Sequence, residues 1–439
     1  MKSYPFLIPF IASCISGICI AQDAPELSAW RSNIDGTKGR SGNPSVHSSV
    51  SQFDADTTST VHTPNHVFID AEGIPSHEVG PWPGNPNMAT GRNWTWRIPR
   101  NPQAAVNHTA TPLGQIGTMV NGVPMFNTKD GRSYRNRGVW EQDAIYFEGQ
   151  SMDVGLGHPQ MSGDYHYHSY PRLLALQQGD SLRDHSPIIG FAFDGFPVYG
   201  AYGFANPDGT GGLKHIESGY RLRNISQRHS LPDGTQLGAN DWGPDVTAQY
   251  PLGCYAQDFE YVPGLGELDE FNGRFGLTPE YPQGTYAYFA VIDVTGDPVY
   301  PYLIGPEYFG VLDSVNTGPG SGHITPPGHA IDYAPFRIYA NDVEVGGTAN
   351  ISVGNATPNT VVFLAWSLQG AGPISTIWGD VALSAPFDFT GPLAADSSGL
   401  TSLQVAIPIR LSGRTIYAQA LEDPLGMPTL SLPMRVVVR

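Results

Sequence analysis

The chain has 439 residues, and the stretch that most constrains its fold is Gly163–Pro171, which reads Gly-Asp-Tyr-His-Tyr-His-Ser-Tyr-Pro. Aromatic and imidazole side chains alternate there with a period of two, which predicts a β-strand. On a strand, His166 and His168 point to one face, roughly 6.5–7 Å apart, while Tyr165 and Tyr167 point to the other. The pattern therefore predicts an imidazole pair on one face of a sheet and tyrosines that anchor the strand in a core.

A third imidazole, His158, lies just upstream of this strand. The loop that joins it to the strand is short and contains Gly163, so it can fold His158 back beside the imidazole pair. Three imidazoles are a common ligand set for zinc or copper. We therefore predict a metal site on His158, His166 and His168. The alternative is that the three are half-buried strand residues whose rings bond to backbone carbonyls.

Several nearby polar residues are candidates to orient these rings by hydrogen bonding, as partners of metal-bound imidazoles commonly do. They are Asp153, Asp164, Tyr165, Tyr167, His185 and Asp194. Other chemistries have weaker support. The chain has no phosphate-binding Walker loop, no dinucleotide fingerprint followed by a helix, and no H-E-x-x-H zinc motif.

The composition favours a loop-rich, mainly β protein. Only 14% of residues are charged, while glycine (52) and proline (39) are abundant, so helix formers are diluted and turn formers are common. The formal net charge is −17. A chain this acidic repels nucleic acid phosphates and anionic lipids, so we expect neither as a partner.

Residues 1–21 have the features of a signal peptide. Lys2 supplies a short positive region, an apolar run extends over Phe6–Ile20, and cleavage is expected after Ala21. A lipoprotein cleavage box at Cys14 is the less favoured alternative, because apolar sequence continues past it. The mature chain is then expected to have no transmembrane span and to be exported, to the periplasm, the cell surface or the medium.

Cysteine usage agrees with an exported chain that does not depend on thiols. Ordinary signal cleavage would remove two of the three cysteines and leave Cys254 alone. The mature chain would then have neither an intramolecular disulfide nor a cysteine-based zinc site.

Five segments of the chain together form a specific pattern: Gly122-Val123-Pro124, Gly157-His158-Pro159, Tyr165–His168, His185–Gly200 and Leu268–Arg274. With these segments the chain resembles the YHYH-domain family over roughly Val67–Gly310. The resemblance implies an exported, bacterial, β-rich domain, and it implies no established activity. Family members usually carry a cysteine near position 155, where this chain has Gly155, so a thiolate contribution to the site is not expected.

The resemblance also points to an internal repeat, since Asp153–His168 parallels Asp269–Phe289. In this alignment His158 corresponds to Arg274, His166 to Ala287 and His168 to Phe289, while the tyrosines are retained. We interpret the two segments as similar β units of which only the first can bind metal. The alternative is a chance similarity between two aromatic strands.

The sequence predicts five consecutive regions. They are a signal peptide (1–21), a disordered spacer rich in Ser, Thr, Asp and Gly (22–63), the YHYH domain (64–315), a Gly/Pro linker (316–332) and a carboxy-terminal domain (333–439). Within the YHYH domain, Ile116–Asn127 and Ile188–Gly200 each predict a strand, a tight Asn-Gly or Asp-Gly turn, and a second strand. Short apolar strands in the last region fit an immunoglobulin-like β-sandwich.

Three functions fit these features. The first is an exported metal-binding protein that uses the histidine cluster, with copper favoured over zinc. The second is a secreted metalloenzyme in which three histidines leave an open coordination position. The third is a metal-free surface interaction or adhesion module. In each case the carboxy-terminal domain is a candidate spacer or anchor that contacts a cell-surface or matrix component.

Overall fold

A computed structural model describes residues 23–43, 48–318 and 320–439. The predicted signal peptide, residues 1–21, lies outside the described residues. Within them, no helix combines the length and the apolar character that crossing a membrane requires. The fold is mainly β, as the composition predicts.

The amino-terminal three quarters of the chain contain the strands β1 (Arg40–Ser41), β2 (Thr57–His62), β3 (His66–Ala71), β4 (Glu78–Val79), β5 (Trp94–Pro99), β6 (Gln115–Met119), β7 (Pro124–Phe126), β8 (Lys129–Ser133), β9 (Glu141–Asp143), β10 (Gly157–Pro159), β11 (Tyr165–Tyr167), β12 (Ile188–Ala192), β13 (Pro197–Tyr199), β14 (Tyr202–Phe204), β15 (Leu213–His215), β16 (Tyr220–Leu222), β17 (Phe259–Tyr261), β18 (Gly273–Gly276), β19 (Thr285–Phe289) and β20 (Ile331–Asp332). Most are short and separated by loops. The many glycines and prolines of the sequence agree with this pattern.

The carboxy-terminal part contains β21 (Arg337–Ala340), β22 (Thr348–Gly354), β23 (Val361–Ser367), β24 (Ile374–Thr376), β25 (Gly379–Val381), β26 (Phe387–Ala394), β27 (Thr401–Ala406), β28 (Thr415–Glu422), β29 (Thr429–Leu430) and β30 (Met434–Val437). The α-helices of the described residues are short: α1 (Pro25–Ser28), α2 (Ala144–Glu148) and α3 (Arg172–Gln177). Single 3₁₀ turns occur at Ser48–Gln52, Tyr134–Asn136, Gly149–Ser151, Ala256–Asp258, Ser314–Asn316, Ile409–Leu411 and Pro424–Gly426.

An eight-stranded sheet forms the centre of the molecule, with the strand order β10-β11-β7-β6-β12-β13-β19-β18. Both predicted hairpins are confirmed, because β6 pairs antiparallel with β7, and β12 with β13. We call β6, β7, β10 and β11 the first unit, and β12, β13, β18 and β19 the second unit. The two units meet where β6 and β12 pair antiparallel. In each unit the inner hairpin pairs parallel with the second strand of the outer hairpin.

The main hydrophobic core packs around this sheet. It includes Tyr165 and Tyr167 of β11, which are 1% and 0% exposed, so the predicted anchoring role of these tyrosines is confirmed. It also includes Tyr286 and Tyr288 of β19 in the second unit. Smaller apolar clusters lie within the carboxy-terminal strands, separate from the main core.

The prediction that residues 22–63 form a disordered spacer is wrong for the part of this segment that the structure describes. Trp30 and Val50 are buried in the main core, and β2 pairs with β3. Arg31 forms a buried ion pair with Asp56, with an N–O distance of 3.1 Å. The segment has few apolar residues, but several of those that the structure describes, such as Trp30 and Val50, are buried in the core.

The carboxy-terminal strands form one three-stranded sheet, β21-β22-β27, and a second sheet built on β26-β23-β28-β29 with β30 also paired to β28. Two antiparallel sheets are compatible with the predicted β-sandwich. The predicted linker is less loose than expected, because β20 pairs with β2. Beyond it, Arg337 donates to the carbonyl of Trp30 at 2.7 Å, and Tyr339 donates to Asp56 at 2.9 Å. The predicted domain boundaries at 316 and 332 stay a prediction.

Candidate metal centre

The outer hairpin of the first unit brings two of the predicted ligands together. β10 and β11 are antiparallel, and His158 lies directly opposite His166 in the register. The turn between the strands includes Gly163, whose φ of +91° is a conformation that glycine adopts without steric cost. His168 follows the end of β11 on the same side of the alternating chain as His166. The predicted fold-back of His158 is therefore confirmed.

Each of the three imidazoles is oriented by a hydrogen bond at Nδ1. The Nδ1 of His166 lies 3.0 Å from the carbonyl oxygen of Asp164, and that of His168 lies 2.6 Å from the carbonyl oxygen of Asn127. The Nδ1 of His158 lies 2.9 Å from the hydroxyl of Ser151. A carbonyl can only accept a hydrogen bond, so Nδ1 of His166 and His168 carries a proton. In the neutral rings, Nε2 is then left with a free lone pair.

The three Nε2 atoms converge on one point. Those of His166 and His168 are 3.1 Å apart, and the three histidines offer ligand atoms that lie within 4.8 Å of one another. The three residues are 3–4% exposed, and the ring of Phe126 stacks on that of His166 with centroids 3.9 Å apart. Lone pairs facing each other in a buried site repel, and a cation between them removes the repulsion. The residues present therefore fit a metal ion, which they could hold through Nε2.

Burial also keeps these rings neutral. It lowers the pKa of His158 to about 3 and that of His168 to about 4. Burial, together with the two neighbouring imidazoles, lowers the pKa of His166 well below its ordinary value. Neutral imidazole is the form that binds metal, so the protonation state of the cluster at neutral pH suits a ligand role.

A carboxylate that the sequence analysis did not identify lies beside the cluster. Glu148, the last residue of α2, places Oε2 at 3.5 Å from Nε2 of His168 and 3.7 Å from Nε2 of His158. Its side chain is 33% exposed. Partial burial is the main cause that raises its pKa to about 7, and the negative charge of the neighbouring Asp130 adds to the effect. The sequence signal that could have located it is Asp143, a residue that favours helix starts and that caps α2 by accepting from the backbone N–H of Tyr146.

A cavity of about 500 Å³ adjoins the three imidazoles. Its lining includes Phe126, Phe147, Lys129, Arg132 and Glu148, so apolar, basic and acidic groups all face it. Many polar residues lie beside the two aromatic rings, so the cavity suits a small polar molecule.

The predicted orienting residues form two groups. Those of the first group belong to the β10–β11 hairpin or its flanks, close to the three imidazoles. Asp164 holds His166 through its backbone carbonyl, while its side chain accepts from Ser162 and pairs with Arg92. Asp153 instead accepts from the hydroxyl of Tyr165 at 3.0 Å, on the opposite face of the strand. The hydroxyl of Tyr167 lies 2.6 Å from Nε2 of His77. Asp153, Tyr165 and Tyr167 therefore fix the strand and leave the imidazole rings to other partners.

His185 and Asp194 make their contacts in the second unit instead. The ring of His185 packs on those of Tyr199 and Phe289, and its Nδ1 lies 2.9 Å from the carbonyl oxygen of Ser186. Asp194 accepts from the hydroxyl of Tyr288 at 2.6 Å and from the amide of Gly310 at 2.8 Å. The structure gives neither residue a bond to the three ligand candidates, so their predicted orienting role is wrong.

The second unit repeats the backbone of the site without its ligands. Arg274 lies opposite Ala287 in the β18–β19 register, as His158 lies opposite His166. Asp269 accepts from the hydroxyl of Tyr286 at 3.0 Å, which reproduces the bond between Asp153 and Tyr165. The predicted internal repeat is thus visible in both register and hydrogen bonding.

Comparison with known proteins gives one finding for this region. Residues 95–298 match the family model described as YHYH protein, and this range contains the three histidines and Glu148. No curated protein matches the chain.

Proposed function

We propose that this protein, whose residues 95–298 form a YHYH domain, is an exported metal-binding protein that holds one divalent ion on His158, His166 and His168. The observation that carries the proposal is the convergence of Nε2 atoms whose Nδ1 partners are already fixed, with the closest pair 3.1 Å apart. When bound, the ion would supply positive charge at a point where buried lone pairs otherwise repel one another.

Copper is the favoured metal, with zinc second. Imidazole suits both ions, but the Irving–Williams order places Cu(II) above Zn(II) at the same nitrogen site. That order matters more for an exported protein, because such a protein meets metals outside the buffering of the cell. Cys254 is buried, and burial raises its pKa to about 12, so this thiol stays protonated and is a poor soft ligand.

Export itself is part of the proposal and rests on residues 1–21, with cleavage after Ala21. The carboxy-terminal strands are proposed as an anchor or spacer toward a cell-surface or matrix component. Intact-mass analysis of protein secreted by a native-like host tests export with cleavage after Ala21. A chain that begins at Gln22 supports it, while a lipid-modified Cys14 would replace cleavage after Ala21 with lipoprotein anchoring.

The metalloenzyme is the second candidate, and one observation favours it. The cavity of about 500 Å³ opens beside the triad, with Glu148 and Phe147 on its wall. A small molecule in this cavity would lie next to both the imidazole cluster and a carboxylate able to accept a proton. A search for turnover of candidate substrates by metal-loaded protein, with metal-free protein as control, would separate catalysis from simple binding.

Elemental analysis of the purified protein, followed by competitive Cu(II)/Zn(II) titration at pH 7.5, tests the main proposal. We expect one ion per chain, tighter binding of Cu(II), and nitrogen hyperfine structure in the electron paramagnetic resonance of the copper form. The double variant His166→Ala/His168→Ala should lose both the ion and the signal. His185→Ala is the matched control, because His185 is equally buried at 3% exposure and has its own carbonyl partner at Nδ1.

The opposite results would exclude the proposal. A wild-type chain that retains no ion after purification and binds none in titration would favour the metal-free interaction module. Copper signals that persist in the double variant, or that disappear in His185→Ala, would place the ion elsewhere.

A further inference from the structure

The segment that carries Glu148 is firmly anchored beside the imidazole cluster. Asp143, at the start of α2, accepts from the hydroxyl of Tyr302 at 2.8 Å, and the amide of Ala144 donates to the carbonyl of Thr128 at 2.9 Å. The same segment supplies Ser151, whose hydroxyl lies 2.9 Å from Nδ1 of His158. Glu148 therefore approaches the cluster from a fixed element and not from a loose surface loop.

The spacing of Glu148 matches that of neighbouring ligands around one ion. Ligands bound at about 2.1 Å in a tetrahedral shell lie about 3.4 Å from one another. The Oε2 atom of Glu148 is 3.5 Å from Nε2 of His168 and 3.7 Å from Nε2 of His158, and the Nε2 atoms of His166 and His168 are 3.1 Å apart. These three distances bracket the ideal value. Glu148 does not belong to the set of residues whose ligand atoms all lie within 4.8 Å of one another, so its carboxylate must rotate toward His166 for all four atoms to share one shell.

Charge gives an independent reason for a carboxylate here. Three neutral imidazoles leave the full double charge of a divalent ion in a site whose histidines are 3–4% exposed. A buried charge is stable only when it is paired, and a ligating carboxylate halves the net charge. Glu148 and Asp130 are the acidic residues that line the adjoining cavity, and Glu148 is the one whose carboxylate lies within 4 Å of the imidazoles.

We infer that Glu148 is the fourth ligand of the site, so that the ion is held by three imidazoles and one carboxylate. This inference rests on the proposed function. It makes the ion a cross-link between the α2 segment and the β10–β11 hairpin. A carboxylate ligand also narrows the choice of metal ion, because a hard carboxylate oxygen favours divalent ions such as Cu(II) and Zn(II) over Cu(I).

Cobalt substitution of the full-length protein tests this shell directly. Co(II) in a four-coordinate tetrahedral site absorbs strongly in the visible region, and higher coordination weakens these bands. We expect strong bands in the wild type, weaker and shifted bands in Glu148→Ala, and at least a tenfold loss of Zn(II) affinity in that variant. Glu148→Gln, which keeps the shape and loses the charge, should fall between the two.

Asp130→Asn is the matched control, because Asp130 is an acid of the same cavity without such contacts to the imidazoles. It should keep the wild-type spectrum and lose no affinity, because removing the charge of Asp130 favours the ionised form of Glu148. Circular dichroism verifies that each variant is folded. Wild-type spectrum and affinity in both Glu148 variants would overturn the inference and leave the proposed function intact. A wild type that binds no metal would overturn the proposed function and the inference with it.

Discussion

The first and second units of the central sheet share one framework and differ in the residues that it presents. Both carry an Asp–Tyr bond at the base of the outer hairpin, Asp153 with Tyr165 and Asp269 with Tyr286. Both turn through a glycine of nearly equal φ, +91° at Gly163 and +89° at Gly284. The bonds that shape the hairpin are thus separate from the residues that could hold a metal.

The difference lies on the opposite face of the same strands. At the position that corresponds to His158, the guanidinium of Arg274 donates to the carbonyl of Phe204 and lies over the ring of Phe289, 5.4 Å from its centroid. Ala287 and Phe289 fill the positions of the other two imidazoles and are 1% and 2% exposed. The second unit uses its face for packing, and the first keeps three polar rings there that packing alone does not require.

The largest expected effect on metal affinity comes from alanine substitution at His158, compared with the same substitution at the corresponding Arg274 of the second unit. His158→Ala removes one of the proposed ligands, so we expect metal affinity to fall by about 1,000-fold, about 4 kcal/mol. Arg274→Ala changes the corresponding position of the second unit and should leave affinity and stoichiometry at the wild-type values. Isothermal titration with Cu(II) and Zn(II) measures both. Two ions per wild-type chain, or equal losses in the two variants, would remove the distinction between the units.

The second contrast concerns the inward tyrosines and the pH dependence of stability. Tyr167 bonds the neutral ring of His77, whose pKa burial lowers to about 4, whereas Tyr288 donates to Asp194, whose pKa burial raises to about 6. A buried histidine with a lowered pKa takes up its proton more readily in the unfolded chain, where the pKa is about 6.5. Its contribution to stability is therefore complete above pH 6.5 and is lost as pH falls toward 4.

The shift at His77 from 6.5 to about 4 corresponds to about 3 kcal/mol of stability between these pH values. His77→Gln, which cannot titrate, should flatten the acid limb of the stability curve by that amount relative to the wild type. Urea unfolding of metal-free protein from pH 4.5 to 7.5 measures the difference. Asp194 has the opposite sign, since its raised pKa makes its contribution largest below pH 3.8 and lost as pH rises through 6. Parallel pH profiles of His77→Gln and wild type would contradict this account.

A smaller contrast is expected at the Asp–Tyr bonds. Asp153 is 5% exposed, while Asp269 is only partly buried, so water can replace a lost hydroxyl at Asp269 more easily. We expect Tyr165→Phe to cost about 2 kcal/mol of unfolding free energy and Tyr286→Phe about 1 kcal/mol. Chemical denaturation at pH 7.5 gives both values. A larger loss of unfolding free energy in Tyr286→Phe than in Tyr165→Phe would show that the exposure of the accepting carboxylate does not determine the cost.

Those features of the site that depend on local sequence could be predicted. Alternation places His166 and His168 on one face, and a short loop with Gly163 brings His158 beside them, so no long-range information is needed. Glu148 could not be placed in this way, because its approach depends on the packing of α2 against a distant Tyr302. The assignment of Asp194 to the site failed for the same reason, since its partner comes from the second unit.

For the fold, too, features set by local sequence could be predicted, and features set by long-range contacts could not. Turn residues and alternating strands predict the two hairpins and the mainly β class, because both signals act within a few residues. The low apolar content of the segment 22–63 predicts a disordered spacer. Its order comes from long-range contacts, such as Arg31 with Asp56 and Trp30 with the sheet residue Phe191. Average composition does not reveal whether the few apolar residues of a segment find a core.

The smallest effect on metal binding is expected from adding one imidazole to the second unit. Ala287→His restores the residue that corresponds to His166, but Arg274 and Phe289 remain at the other two ligand positions. A single imidazole beside a guanidinium cannot replace a three-residue shell, and the cation repels a metal ion. Because Ala287 is 1% exposed, the larger ring should also cost about 1–3 kcal/mol of stability through overpacking. Metal analysis should still find one ion per chain, and a second ion in Ala287→His would mean that the second unit retains ligands outside the repeat.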